Sequence, residues 1–208
     1  EPGQSLFGAG DTAGGVPECV HKLAEQLPPD EQAGGSNALI LDGTVTYKIF
    51  HSGSPFGAEL KQTVTGLTPG ATAVFTAPVL AILHNETDPF GAESGAWVNG
   101  EGRWANATEM GNRRWFRHVV PFTVPESGTV EVMIRVKSKW PRAKDFFVDG
   151  ITLVVEEDPV FGDPPFKPRP INHVRVQVPE NIQVVLTTCL TPGVVVVSVP
   201  EGLEVEVV

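Results

Sequence analysis

Two tryptophans stand in polar, cationic surroundings: Trp104 in "EGRWANAT" and Trp140 in "KSKWPRAK". An indole that faces solvent stacks on the apolar face of a pyranose ring, and neighbouring Asn and Arg side chains then bond the hydroxyls. Asn106, Arg103, Arg113 and Arg142 lie beside these indoles or in adjoining loops, and the three arginines carry the fork geometry that grips a carboxylate. A plainer reading also fits, in which each indole covers an apolar spot on its loop. Trp97 sits in a strand-like apolar run and is expected in the core, where truncating such a ring costs roughly 3–5 kcal/mol.

Catalysis would need more. Glu86, Asp88, Glu93, Glu101 and Glu109 put carboxylates in loops, but a glycosidase pair is defined by its separation in space. His51, His84, His118 and His173 lack the HExxH spacing of a zinc site, and no GxSxG elbow or phosphate-cradling glycine loop is present. A binding role is expected, with an esterase or lyase as the enzymatic alternative.

The formal charge of −10 excludes a general binder of nucleic-acid phosphates, which displays a basic face. The charge is uneven. Between Arg103 and Lys144 nine of the fifteen basic residues face three acidic ones, a net +6 against −16 elsewhere. Such a window favours an acidic ligand such as a uronic-acid glycan, or else it populates the solvent faces of adjacent strands. No apolar run is long enough to span a bilayer, so membrane insertion is not expected. Cys19 and Cys189, the only cysteines, allow one long-range disulfide or two free thiols.

The elements that must position these residues are strands. The 208 residues can bury a sizeable core, and 22 glycines, 19 prolines and abundant valine describe short strands joined by turns. Residues 1–36 form an irregular lead-in packing on the domain, with one weak helical patch at "ECVHKLAEQL". "NALILDGTVTYKIF" predicts a hairpin about Asp42-Gly43, and "HNETDPFGAESG" is a long polar loop of the kind that carries function. "WFRHVVPFTV" alternates as a strand, turns at "ESG" and returns as "TVEVMIRVKSKW".

With these strands in order, three stretches resemble the galactose-binding-like jelly rolls: "KQTVTGLTPGATAVFTAPV", "RRWFRHVVPFTVPESGTVEVMIRV" and "DFFVDGITLV". Carbohydrate-binding modules of secreted bacterial glycosidases and cell-surface hydrolases share this pattern, which here covers roughly residues 39–155. The resemblance implies an antiparallel β-sandwich over residues 37–157 and a polysaccharide or cell-surface glycan as ligand, and it makes Trp115, just before the F-x-V-P-like strand, a packing residue. It also implies an extracellular setting within a larger chain, and no cofactor beyond a structural calcium at Asp149. Two features depart from the family: its opening N-G-D-F-E motif is missing, and Ala71-Thr72-Ala73 stands where a tyrosine is usual.

Residues 158–170, with five prolines in "DPVFGDPPFKPRP", read as a polyproline-type linker, and residues 171–208 as a small β appendage or truncated domain of three or four strands. Its exposed strand edges supply the other non-catalytic reading, an assembly module that associates by strand pairing.

Overall fold

The computed structural model describes residues 1–8 and 11–156, and beyond them the backbone of two short strands. The chain divides into two compact units, Glu1–Pro159 and Val160–Val208. The first is an antiparallel β-sandwich, as the resemblance implies.

One layer is a six-stranded sheet made by β1 (Glu18–Leu23), β2 (Val45–His51), β4 (Thr72–Ile82), β7 (Trp115–Thr123), β9 (Lys144–Val148) and β10 (Thr152–Glu156). The other layer has four strands in the order β3 (Phe56–Val64), β8 (Val130–Ser138), β5 (Ala92–Val98) and β6 (Glu101–Asn106). Period-two alternation decides which side chains enter the space between them. Along β8, Val130, Val132, Ile134 and Val136 join Phe56, Phe75, Val79 and Phe146 in the core. Glu131, Met133, Arg135 and Lys137 alternate with them and face outward. Burying each Val or Phe stabilises the sandwich by about 1.5–3 kcal/mol, which makes this shared interior the main force joining the two sheets.

Three local expectations are corrected. "ECVHKL" is strand β1, paired antiparallel with β2, where a helical patch was expected; Val20, Leu23 and Leu27 do not share a helix face, and the lead-in supplies a sheet edge. The Asp42-Gly43 hairpin lacks its first strand. Leu39 and Ile40 are buried, but the N–H groups of Leu41 and Asp42 donate to the Asp149 carboxylate at 2.7 and 3.2 Å instead of to a strand partner. The stretch around Trp104, read as a loop, is strand β6, turned back on β5 through Asn99 and Gly100 at φ of 50° and 86°.

Trp115 anchors a second apolar layer, as expected of a packing residue. It packs with Leu39, Leu80 and Phe147 on the side of the six-stranded sheet away from the main core, and its indole N–H donates to the Ala38 carbonyl at 3.0 Å. In the second unit, β11 (Val185–Thr188) and β12 (Val195–Ser198) pair antiparallel. The proline-rich linker, the remaining predicted strands of residues 171–208 and Cys189 lie outside the described residues; Cys19 is exposed on β1.

Candidate functional site

The long polar loop between β4 and β5, residues 83–91, is built around a buried ion pair. Lys144, at the start of β9, is completely buried and its ammonium sits 3.2 Å from the Glu86 carboxylate. Burial pushes the Lys144 ammonium below its ordinary pKa, with Glu86 offsetting part of the shift. Burial alone would raise the Glu86 carboxyl. The N–H groups of Asp88 and Thr87 and the Lys144 ammonium outweigh that and hold it below 4.5. Gly91 leaves the room this needs, because a Cβ there would lie 2.5 Å from the Glu86 carboxyl carbon.

Above this pair the loop presents aromatic rings. Trp140, in the turn from β8 to β9, is 43% exposed, and its indole N–H donates to Asp88 Oδ2 at 2.7 Å. Asp88 Oδ1 accepts the Phe90 N–H at 2.9 Å, and Phe90 is 53% exposed. One carboxylate thus ties both aromatic positions, and these two N–H bonds, Phe90 first, hold it below the ordinary aspartate range. Arg142 closes the other side by donating to the Asn85 carbonyl at 3.1 Å. His84 and Asn85 both have positive φ, 47° and 63°, conformations that cost about 1–3 kcal/mol each and cluster where a loop is shaped for contact.

Trp104 has a different fate. It projects from β6 onto the outer face of the four-stranded sheet, directly opposite Gly95 of β5. Trp97 shares that face and is 8% exposed, so it is buried as expected but outside the sandwich interior. Its indole lies flat over two glycines: a Cβ on Gly95 would come within 2.3 Å of the ring, and one on Gly102 within 2.7 Å. Trp104 stands edge-on to it at 4.9 Å, with Lys137 at 4.6 Å and Phe7 at 6.0 Å from its ring centre. Trp104 packs with Trp97, Phe7 and Lys137, whereas Trp140 packs with Lys139 and bonds Asp88.

The other predicted residues are largely engaged within the protein. Asn106 caps the short helix α1 (Ala107–Met110), accepting the N–H groups of Thr108 and Glu109, while Glu109 bonds back to the Asn106 N–H. This capping box stabilises the turn and engages the Asn106 side-chain oxygen. Arg103, its side chain 66% exposed, pairs through one nitrogen with Glu109 at 2.8 Å, and Arg113 pairs with Glu31. Asp149 spends its carboxylate on the N–H groups of Leu41, Asp42 and Gly150. No group of three His, Cys, Asp or Glu side chains that could hold a metal ion is present among the described residues. Six of the nine cations of the basic window are ion-paired, to Glu109, Glu31, Glu59, Glu93, Asp11 and Glu86, which breaks up its field.

A cleft of about 470 Å³ opens between the sheet edges β6 and β7, lined by Glu101, Arg103, Phe116, Arg117 and Val119 with His118 at its base. Burial, aided by the Arg103 charge, lowers the His118 pKa to about 4, so the ring is neutral at pH 7 and bonded to Ser94 at 2.8 Å. Phe116 meets His118 edge-on at 4.9 Å, and no indole lines the cleft. Of the loop carboxylates considered for acid–base chemistry, Glu86, Glu93 and Glu109 are ion-paired and Asp88 holds Trp140.

No family model and no curated protein matches the chain. Among solved structures it is similar to the carbohydrate-binding module TmCBM61 in complex with β-1,4-galactotriose, at 20% identity and a TM-score of 0.46, over 66% of this chain and 82% of that one. It is similar to the sugar-binding C-terminal domain of EclA at 16% identity, TM-score 0.39, over 59% and 87% of the two chains. A third is the CBM22-1 xylan-binding domain from Paenibacillus barcinonensis Xyn10C, at 10% identity, TM-score 0.36, over 76% and 92%. The likeness is one of β-sandwich fold. No helix among the described residues is long and apolar enough to cross a membrane.

Proposed function

We propose that this chain is a non-catalytic carbohydrate-binding module that takes its ligand at the loop end built from residues 84–91 and 139–142. The observation that carries the proposal is Trp140, an indole 43% exposed and held in place by its bond to Asp88. An exposed indole face suits the C–H face of a pyranose, while Asn85, Asp88 and Arg142 bring amide, carboxylate and guanidinium groups to the same loops for the hydroxyls. Phe90 adds a second exposed ring. The buried Glu86–Lys144 pair makes the loop stiff, so little ordering entropy is lost on binding and a shallow site can still select.

The ligand class is a polysaccharide read mainly through its hydroxyls; Arg142 is the cation at this end for a uronic carboxylate. A secreted or surface-attached bacterial protein with further domains is the setting that suits such a module. Titration calorimetry against β-1,4-galactan, xylan and polygalacturonate tests the reading. Binding to at least one is expected, with a loss of about tenfold or more on Trp140→Ala, as for a truncated aromatic anchor. Thermal unfolding should be unchanged, and Trp104→Ala should leave the affinity intact. Undiminished affinity in a folded Trp140→Ala protein would refute the loop-end site.

A further inference from the structure

The cleft between β6 and β7 opens where both layers end, since β6 closes the four-stranded sheet and β7 pairs with β4 alone. Small residues keep it open: Ala96 and Gly102 stand across from Phe116 and Val120. At its base His118 is only 5% exposed. A serine hydroxyl has one proton to give, and that of Ser94 goes to Met110 Sδ at 2.9 Å. Toward His118 Nε2, 2.8 Å away, the same oxygen is therefore an acceptor. Nε2 then carries the ring proton and Nδ1 a bare lone pair. Thr46 Oγ1 is the one sealed side-chain N or O without a partner among the described residues. His118 Nδ1, which has no partner among them either, is thus open to the cleft that the ring lines. Charges of both signs stand above it. Glu101 and Arg117 are exposed, line the cleft and make no ion pair with a described residue, while Arg103 spends one guanidinium nitrogen on Glu109 and the Trp104 carbonyl.

We propose that this cleft binds a zwitterionic amino acid with an apolar side chain: Arg117 and Arg103 take the carboxylate, Glu101 and His118 Nδ1 take the ammonium, and Phe116 and Val120 meet the side chain. Charge matching decides the class. A simple anion would satisfy the arginines and leave Glu101 and the Nδ1 lone pair facing negative charge. A simple cation would satisfy that pair and be repelled by two guanidinium groups. A neutral hydroxylated ligand would desolvate Glu101 and Arg117 without supplying either with an opposite charge, which is costly beside apolar walls. A zwitterion supplies both charges at one end and an apolar group at the other. The volume of about 470 Å³ suits such a small molecule. Burial keeps the imidazole neutral at pH 7, so its lone pair is free to accept.

No residue of this cleft belongs to the loop-end site, so the two are tested apart. Full-length protein at pH 7 is titrated in a calorimeter with L-phenylalanine, and with acetate and methylamine as single-charge probes. L-Phenylalanine should bind with a millimolar dissociation constant or tighter, and each single-charge probe about tenfold or more weaker. Glu101→Gln and Arg117→Gln, both at exposed positions that leave the fold intact, should each weaken L-phenylalanine about tenfold. In nitrogen-15 spectra, saturation with L-phenylalanine should move the His118 Nδ1 resonance, a response that binding elsewhere would not produce. Trp140→Ala should leave all of this unchanged. Absent binding at millimolar concentration, acetate or methylamine binding as tightly as the zwitterion, indifference to both exchanges, or an unmoved Nδ1 overturns the site. Displacement of L-phenylalanine by xylan or β-1,4-galactan fragments would overturn it too, by making the cleft a place for sugar.

Discussion

At the loop end charge lies underneath and the ring on top: Lys144 and Glu86 are buried, and Trp140 is open above them. On the sheet face the rings share one layer with the cations, so Lys137 lies over Trp104, Arg135 over Trp97, and Phe7 packs beside Trp104. Both regions use aromatic rings and ion pairs, yet Trp140 is 43% exposed while Trp97 is 8% exposed and Trp104 half-buried. An ion pair below a loop fixes its shape without using the ring surface, whereas a cation beside an indole consumes that surface itself.

The largest expected effect separates these two uses of charge. Lys144→Ala strands a buried carboxylate and should lower the unfolding free energy in urea by about 3–5 kcal/mol, with loss of glycan binding at Trp140. A loss below 1 kcal/mol would mean that the pair does not hold the loop.

Acid should strike the sheet edges before the loop end. The His118 pKa is about 4 in the folded protein and near 6.5 when unfolded, so the unfolded chain takes up the proton first as pH falls. Stability is therefore full above about pH 6.5 and falls by on the order of 3 kcal/mol towards pH 4. Glu86, held below 4.5, adds its loss only as the pH drops through that lower range. Urea midpoints measured from pH 7 to 3.5 should show both phases, and His118→Phe should remove the first alone; a variant that tracks the wild type would refute the assignment.

A smaller change targets the platform. Gly95→Ala puts a methyl 2.3 Å from the Trp97 ring and 2.6 Å from the Arg103 carbonyl, which should cost about 1–3 kcal/mol of stability while glycan affinity at Trp140 stays level. Asp88→Ala should have the smallest effect. It frees the Trp140 indole N–H and should weaken glycan binding a few-fold in calorimetry with the melting temperature nearly unchanged.

Much of the sandwich was legible in the chain. The alternation of "TVEVMIRVKS" predicts which side chains of β8 enter the core, and the interior holds Val130, Val132, Ile134 and Val136. The strand carrying Trp104 was also legible, because Asn99-Gly100 between apolar runs is a strong hairpin signal; the nearby arginines suggested a loop instead. Phe90 in "DPFGAES" was an available clue to the loop end, as an aromatic residue inside a polar loop. Asp149 could not be read locally. Its carboxylate serves N–H groups more than a hundred residues earlier in the chain, where a β-strand was expected to bond them.

Sequence alone determined the strongly alternating strands β7 and β8, because alternation is a property of neighbouring residues, but not β1, β6 or the missing first strand of the Asp42-Gly43 hairpin. Which tryptophan is free was decided only by tertiary structure. Trp104 is half-buried beside Phe7 and Lys137, and Trp140 is 43% exposed and bonded to Asp88, all residues brought there by chain segments distant from the indole or from across a sheet. An indole's composition and flanking charges are the same whether its face is covered or bare; the contacts made across the fold set the difference.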